Sequence, residues 1–200
     1  RNVKLRPIGL EPLLRSDGLS NWKVFPGKKS EFTLNDAGEL VVRNGPGQIE
    51  TLKQFADFVF QGKILINGRY LNSGIFFRNL PGEFWKGYES QLHNGFRNND
   101  PTDPLDYGTG GIYNRIPARR IVSEDFQWFT KTIVCNGPNI SVWVNGYPVT
   151  SWTDPREPNE NPRKGLRTQA GTITIQGHDP TTDLRFKDLK AVELRPRERK

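Results

Sequence analysis

Short alternating runs closed by turn residues constrain this chain more than any other feature. The clearest is Gly171-Thr172-Ile173-Thr174-Ile175-Gln176. Strand side chains alternate faces with a period of two, so Ile173 and Ile175 point one way while Thr174, Gln176 and the following His178 point the other. The same pattern predicts strands over 39–42, 74–78, 88–94, 126–134, 140–144 and 183–194, and one long strand over 55–66 interrupted near Gly62. Asn145-Gly146 between two such runs is a hairpin signal, because both turn positions tolerate positive φ. Twenty Gly and fifteen Pro supply punctuation throughout, and no stretch carries a long helical period.

These elements predict an all-β chain, an antiparallel β-sandwich of jelly-roll type with an open concave face. Two hundred residues suit a single domain. We place it at 10–194, with an N-terminal extension at 1–9 and a charged tail at 195–200. Two polar loops, 97–111 and 153–167, are long for a compact domain, which marks them as functional or mobile. No apolar run approaches the roughly 20 residues needed to span a bilayer. The chain opens on Arg1 without a signal-peptide pattern and reads as a mature or trimmed fragment. A formal charge of +7 raises the question of nucleic acid. The basic residues are scattered and no nucleic-acid-binding motif accompanies them, so we expect no nucleic-acid partner. The lone Cys135, beside Ile133 and Val134, reads as a buried, inert thiol.

Chemistry concentrates at 88–94. Alternation sets Glu89, Gln91 and His93 on one face, expected to be an exposed working surface. If the 171–176 strand lies near, His93 and His178 share one cleft. Two metal arrangements come into view. His93, His178, Glu89 and Asp179 offer a mixed nitrogen and oxygen set for a divalent ion. Asp100, Asp103 and Asp106 offer oxygens for a structural calcium ion, or serve as turn-forming residues beside Pro101 and Pro104. Neither spacing is diagnostic, and no cofactor is required by the pattern.

An ordered series of motifs carries a family resemblance. Asn72-Ser73-Gly74-Ile75-Phe76-Phe77-Arg78 is followed by Gly87-Tyr88-Glu89-Ser90-Gln91 and Thr109-Gly110-Gly111-Ile112-Tyr113. Trp143-Val144-Asn145-Gly146 and Ile175-Gln176-Gly177-His178 complete it, with Asp17-Gly18-Leu19-Ser20-Asn21-Trp22 as the entry segment. The series resembles the 3-keto-disaccharide hydrolase domain, whose fold is similar to that of concanavalin A-like lectins and glucanases. The resemblance implies a carbohydrate substrate, cleavage of 3-keto-glycosides and a periplasmic or secreted setting. The rival reading is a non-catalytic glycan-binding module.

A carbonyl at C3 acidifies the C2 hydrogen and lies β to the glycosidic oxygen. Proton abstraction at C2, expulsion of the leaving group from C1 and hydration therefore complete the cleavage. This route needs a base, an oxyanion stabiliser and a proton donor. His178 or His93 is the expected base, since histidine titrates near neutrality. Arg78 is read either as the oxyanion stabiliser or as an ion-pair partner of Glu89, and Glu89 as orienting a histidine or transferring a proton. Asn72, Gln91 and Gln176 suit hydroxyl recognition, and Trp85, Tyr113 or Trp152 suit stacking on a sugar face. The family's closing Phe-Arg-Asn is here Phe186-Lys187-Asp188, which keeps a charge for substrate contact at Lys187 and loses the planar fork.

Overall fold

The computed structural model describes residues 7–15 and 17–194; the expected 195–200 tail and most of the expected 1–9 extension lie outside these. Among the described residues there are thirteen strands and no helix. In chain order they are β1 (Glu11–Pro12), β2 (Trp22–Val24), β3 (Glu31–Leu34), β4 (Leu40–Arg43), β5 (Gly47–Phe55), β6 (Phe58–Ile66) and β7 (Ser73–Asn79). There follow β8 (Tyr88–Leu92), β9 (Trp128–Asn136), β10 (Asn139–Val144), β11 (Tyr147–Thr153), β12 (Gly171–Gly177) and β13 (Asp183–Glu193). They form two antiparallel sheets, one ordered β11-β10-β9-β6-β13-β4-β3 with β1 on β13, the other β2-β5-β12-β7-β8. This is the expected β-sandwich.

The core lies between the sheets and follows from alternation. On β6, Phe58, Phe60, Ile64 and Ile66 are fully buried; across from them lie Ile49, Ile75, Phe77, Ile173 and Ile175. Phe58 meets Phe77 edge-on at 6.0 Å between ring centroids, joining the sheets. Asn145 and Gly146 take φ of 50° and 83° in the β10–β11 hairpin, the left-handed pair that the sequence requires there. Cys135 is buried, and burial pushes its thiol up to about 12.

Three differences from the sequence reading have physical causes. The run over 55–66 breaks at Ala56-Asp57, not near Gly62. Gly62 lies inside β6, where a side chain would stand 2.5 Å from Leu189, a residue set inward by the register shift of β13 between Lys187 and Lys190. The strands β2, β3 and β5 lacked a legible signal. Gln48 and Glu50 of β5 are polar yet buried, because the outer face of this sheet is roofed by loops. The polar loops are also longer than expected: no strand interrupts 93–127, and 154–170 is equally irregular.

One buried lysine crosses the sandwich. Lys131 of β9 is fully buried, and its Nζ donates to the carbonyls of Ser90 (3.0 Å) and Gln91 (2.7 Å) on β8. Segment 109–113 closes the free edge of β8 from the other side. Gly110 N donates to Gln91 O and Tyr113 N to Glu89 O, both at 2.9 Å. β8 is thus fixed on both sides.

Candidate active site

The outer face of the five-stranded sheet is assembled in rows across β5, β12, β7 and β8. Pairing aligns Glu50, Thr174, Phe76 and Glu89 in one row and Gln48, Gln176, Gly74 and Gln91 in the next. One step further, His178, Asn72 and His93 follow the ends of β12, β7 and β8 at the same end of the sheet. Two strand spacings, about 10 Å, separate the histidine backbones. The expected alternation of Glu89 and Gln91 therefore holds. Their expected exposure does not: Glu89 is 5%, Gln91 1% and His93 9% exposed, because the 93–127 and 154–170 loops fold over β8.

Gly74 makes the floor. A Cβ there would stand 2.5 Å from Glu89 Oε1, so the Glu89 side chain lies across the space that this glycine leaves. Arg163, from the loop after β11, donates from Nη2 to Glu89 Oε2 at 2.9 Å and from Nε to Trp85 O at 3.3 Å. Its guanidinium packs over Phe76 (5.1 Å) and Tyr113 (5.5 Å). Burial pushes the Glu89 carboxyl above its ordinary value, against the opposing pull of Arg163 and the weaker pull of His178, while Asp106 adds to the rise.

The remaining wall comes from the loop between β7 and β8. Gln48 Nε2 donates to Glu83 O at 3.0 Å, Trp85 N donates to Gln48 Oε1 at 2.9 Å, and Gly82 N donates to Glu50 Oε1 at 3.0 Å. This tethering holds Trp85 at a φ of 55°, an uncommon conformation for a bulky residue. Its ring lies parallel to His178 at 6.0 Å and to Phe76 at 6.4 Å. His178 Nδ1 is 2.8 Å from Asp179 Oδ2, so the carboxylate fixes the ring orientation and leaves Nε2 for other work. Burial opposes ionisation of Asp179, but hydrogen bonds from Thr181 and His178 prevail and hold its carboxyl below the usual value. Trp85 Nε1 and Gln176 Oε1 are buried with no partner among the described residues. They leave one donor and one acceptor for ligand hydroxyls or water.

Asp106, read in the sequence as a calcium or turn residue, also reaches this face. Its Oδ2 accepts from Asn72 (2.6 Å) and Gln91 (2.7 Å). The amides of Asn72 and Gln91 are thus engaged inside the protein. The aspartates do not form the expected calcium cluster, since Asp100 accepts from Thr102, Asp103 pairs with Arg97 and Asp106 has its own donors. The expected mixed set of His93, His178, Glu89 and Asp179 is likewise not assembled. Among the described residues no three His, Cys, Asp or Glu side chains converge on one point.

His93 caps the far side of this end. It stacks on Tyr70 at 6.3 Å, and its Nδ1 accepts from Gly95 N at 3.1 Å. Burial lowers its pKa, so the ring is neutral at pH 7.

Three expected site residues lie elsewhere. Arg78 should share the outer face with Gly74 and Phe76, but a φ of 48° at the register shift opposite Thr172 and Thr174 turns it away. It is fully buried, donating to Ala56 O, Gly137 O, Arg167 O and Asp57 Oδ1 at 2.8–2.9 Å. It neither faces the site nor pairs with Glu89. Lys187 projects from β13 of the other sheet, over Trp128 at 3.9 Å and 3.5 Å from Glu39. Trp152 packs edge-on against Tyr88 at 6.3 Å, beneath Arg156, and offers no platform on this face. Arg163 is the residue that sequence reasoning missed, and Asp106 was read for a different part; both sit in aperiodic loops, where no spacing announces their place on this face.

Two antiparallel sheets packed as a jelly roll, with one polar face roofed by loops, define the class by fold: a concanavalin A-like β-sandwich. Within that class the chain belongs to the 3-keto-alpha-glucoside-1,2-lyase-like domain family, which matches residues 9–191. Solved structures agree on the fold. A glycosyl hydrolase candidate from Parabacteroides distasonis superimposes with a TM-score of 0.74 at 20% identity, covering 94% of each chain. A carbohydrate-binding module from Bacillus subtilis gives 0.58 at 12% identity, covering 86% of this chain and 94% of that one. A β-glucanase from Bacillus licheniformis gives 0.52 at 13% identity, covering 96% and 95%. No curated protein matches the chain in sequence. Among the described residues no helix is long and apolar enough to cross a membrane.

Proposed function

We propose that this chain cleaves 3-keto-glycosides by elimination across C1 and C2, followed by hydration. The observation that carries the reading is Glu89. Its carboxyl is buried over Gly74, raised in pKa, and touched by Arg163 beside His178. Burial makes this carboxyl hold its proton more readily than a free glutamic acid, which suits a proton donor.

In this scheme His178 Nε2 removes the C2 proton, with Asp179 stabilising the imidazolium that forms. The electron pair moves through C2 onto the C3 carbonyl oxygen, where the Arg163 guanidinium meets the developing charge. Arg163 takes the part that the sequence assigned to Arg78; among the described residues its Nη1 has no protein partner. Collapse of the enolate expels the C1 oxygen, which takes the Glu89 proton as it leaves. Water then adds at C1 of the enone and a proton returns to C2, giving the free 3-keto-sugar. Direct displacement by two carboxylates finds less support, since Asp106 is tied to Asn72 and Gln91. A periplasmic or secreted setting accompanies the proposal, on the family likeness.

The test is turnover of a 3-keto-glucoside panel beside the unoxidised parent glucosides, followed by NMR, with wild type and His178→Ala. Cleavage of the oxidised sugars alone, falling about 10²–10⁴-fold in the variant with binding partly kept, is the expected result. No turnover by folded wild type, with only a modest loss of affinity in the variant, would instead establish a glycan-binding module.

A further inference from the structure

The loop following β8 does more than roof it. Segments 97–107 and 116–119 leave a cleft of about 630 Å³ between them, within the size range of small-molecule sites. Its walls are mostly apolar, with Pro104, Tyr107, Ile116, Pro117 and Ala118 contributing. Arg97 and Arg119 stand at its margin. Arg97 is neutralised by Asp103 at 3.0 Å, whereas no ion pair engages Arg119 among the described residues. Asp106 also lines this cleft, and the same residue's carboxylate is held by Asn72 and Gln91 at the sheet face. The cleft therefore begins where the face bearing Glu89 ends.

The junction between them is rigidly built. Asp106 and Tyr107 are consecutive non-glycine residues at φ of 45° and 68°, and such conformations persist only where the surroundings enforce them. Enforcement comes from Gly108. A Cβ there would stand 2.6 Å from both Pro104 and Ile121, so only glycine lets the turn close and hold Tyr107 against Tyr113 at 5.2 Å. Tyr113 in turn lies under Arg163. An aromatic path thus runs from the cleft to the guanidinium that holds Glu89.

We infer that this cleft receives the leaving group of the glycoside, and that its chemistry favours an aryl aglycone, above all one carrying a carboxylate. This rests on the function proposed above. A ring fits proline, isoleucine and tyrosine walls, and an anionic substituent meets Arg119 at the margin. A sugar leaving group would meet Thr102, Tyr107 and Arg119, but the larger part of the wall is apolar, and Arg97 and Asp103 are already paired to each other.

The experiment measures binding and turnover separately. Calorimetry with unoxidised methyl, phenyl and 4-carboxyphenyl glucosides needs no reaction, and kcat/KM on their 3-keto forms reads the same preference during turnover. Wild type should bind phenyl over methyl about tenfold more tightly, with a further gain for the carboxyphenyl compound. Pro117→Trp, at an exposed wall position, should erase the aryl preference and leave the methyl compound unaffected. Arg119→Glu should abolish only the carboxylate gain. Equal affinity for methyl and phenyl compounds in wild type would overturn the inference, as would an aryl preference untouched by Pro117→Trp. The two proposals fail separately. Turnover of every 3-keto-glucoside without aglycone preference removes the cleft alone. Aryl-selective binding lost in Pro117→Trp, without any turnover, removes the reaction alone.

Discussion

Arg78 and Arg163 hold nearly the same kinds of partner and do opposite things. Each guanidinium donates to backbone carbonyl oxygen and to one carboxylate, Asp57 for the first and Glu89 for the second. Arg78 has no exposed side chain surface, and its three carbonyls belong to three separate segments, so its charge ties the sandwich together. Arg163 keeps 28% of its side chain exposed, lies across two aromatic rings, and has a guanidinium nitrogen without a partner among the described residues. What distinguishes a clamp from the proposed reagent is access. The hydrogen-bonding inventory is otherwise similar.

Substitution should drive the two arginines apart. Arg78→Ala takes one donor from Asp57, which keeps the Gly137 N–H, and leaves three carbonyls without the guanidinium, and should cost about 3–5 kcal/mol in urea unfolding. Arg78→Lys should recover only part of that loss, because an ammonium cannot span four acceptors in a fork. An Arg78→Ala protein as stable as wild type would abolish the contrast. Arg163→Ala should reverse the pattern: kcat falls about 10²–10³-fold on a 3-keto-glucoside while stability falls less than in Arg78→Ala, because the buried Glu89 carboxyl left behind can take up a proton.

Glu89→Gln sharpens the comparison from the carboxylate side. A carboxyl whose folded pKa is raised binds its proton more tightly folded than unfolded, so its contribution to stability is lost as pH rises from the unfolded to the folded pKa. Glu89→Gln should remove that decline, leaving the variant at least as stable as wild type at pH 7 while turnover collapses. Equilibrium unfolding across pH 4–8 checks it.

The smallest effect concerns the two histidines. His93 has a lowered pKa, so the unfolded chain takes up its proton first, and stability falls as pH drops from about 6.5 toward the folded value. His93→Asn, which can still accept from Gly95 N, should flatten that decline by about 1 kcal/mol or less, with little change in turnover. A loss of turnover as large as that of His178→Ala would exchange the roles assigned to them.

The legible parts of the molecule were those where alternation governs both partner and face. β12 is the clearest case, with Ile173 and Ile175 inward and Gln176 outward as its sequence implies. Alternation gave the shared face of Glu89 and Gln91 as well, but not its burial, which depends on loops that carry no period. Arg78 shows the limit within a strand, because one residue at positive φ reverses the parity beyond it. Lys187 and Trp152 show another limit. The strand of Lys187 was read as such, while that of Trp152 was legible only as the run leaving Asn145-Gly146; which sheet a strand joins decides where its outer face looks, and that is a long-range pairing. Arg163, and the place of Asp106 on this face, were invisible for the simplest reason, since loop positions are fixed by hydrogen bonds to distant segments such as Trp85 O and Asn72.

Gly74 has an ordinary strand conformation, so alanine would fit its backbone without strain, and the nearest obstacles to a methyl group are atoms of the Glu89 side chain. The missing carbon protects the placement of one carboxylate and little else in the fold. A single nucleotide change from a glycine to an alanine codon would therefore leave a well-folded protein with its acid displaced. If the proposed reaction holds, such a change would silence it while leaving the sandwich whole, so a descendant could look intact and yet carry its carboxyl out of place.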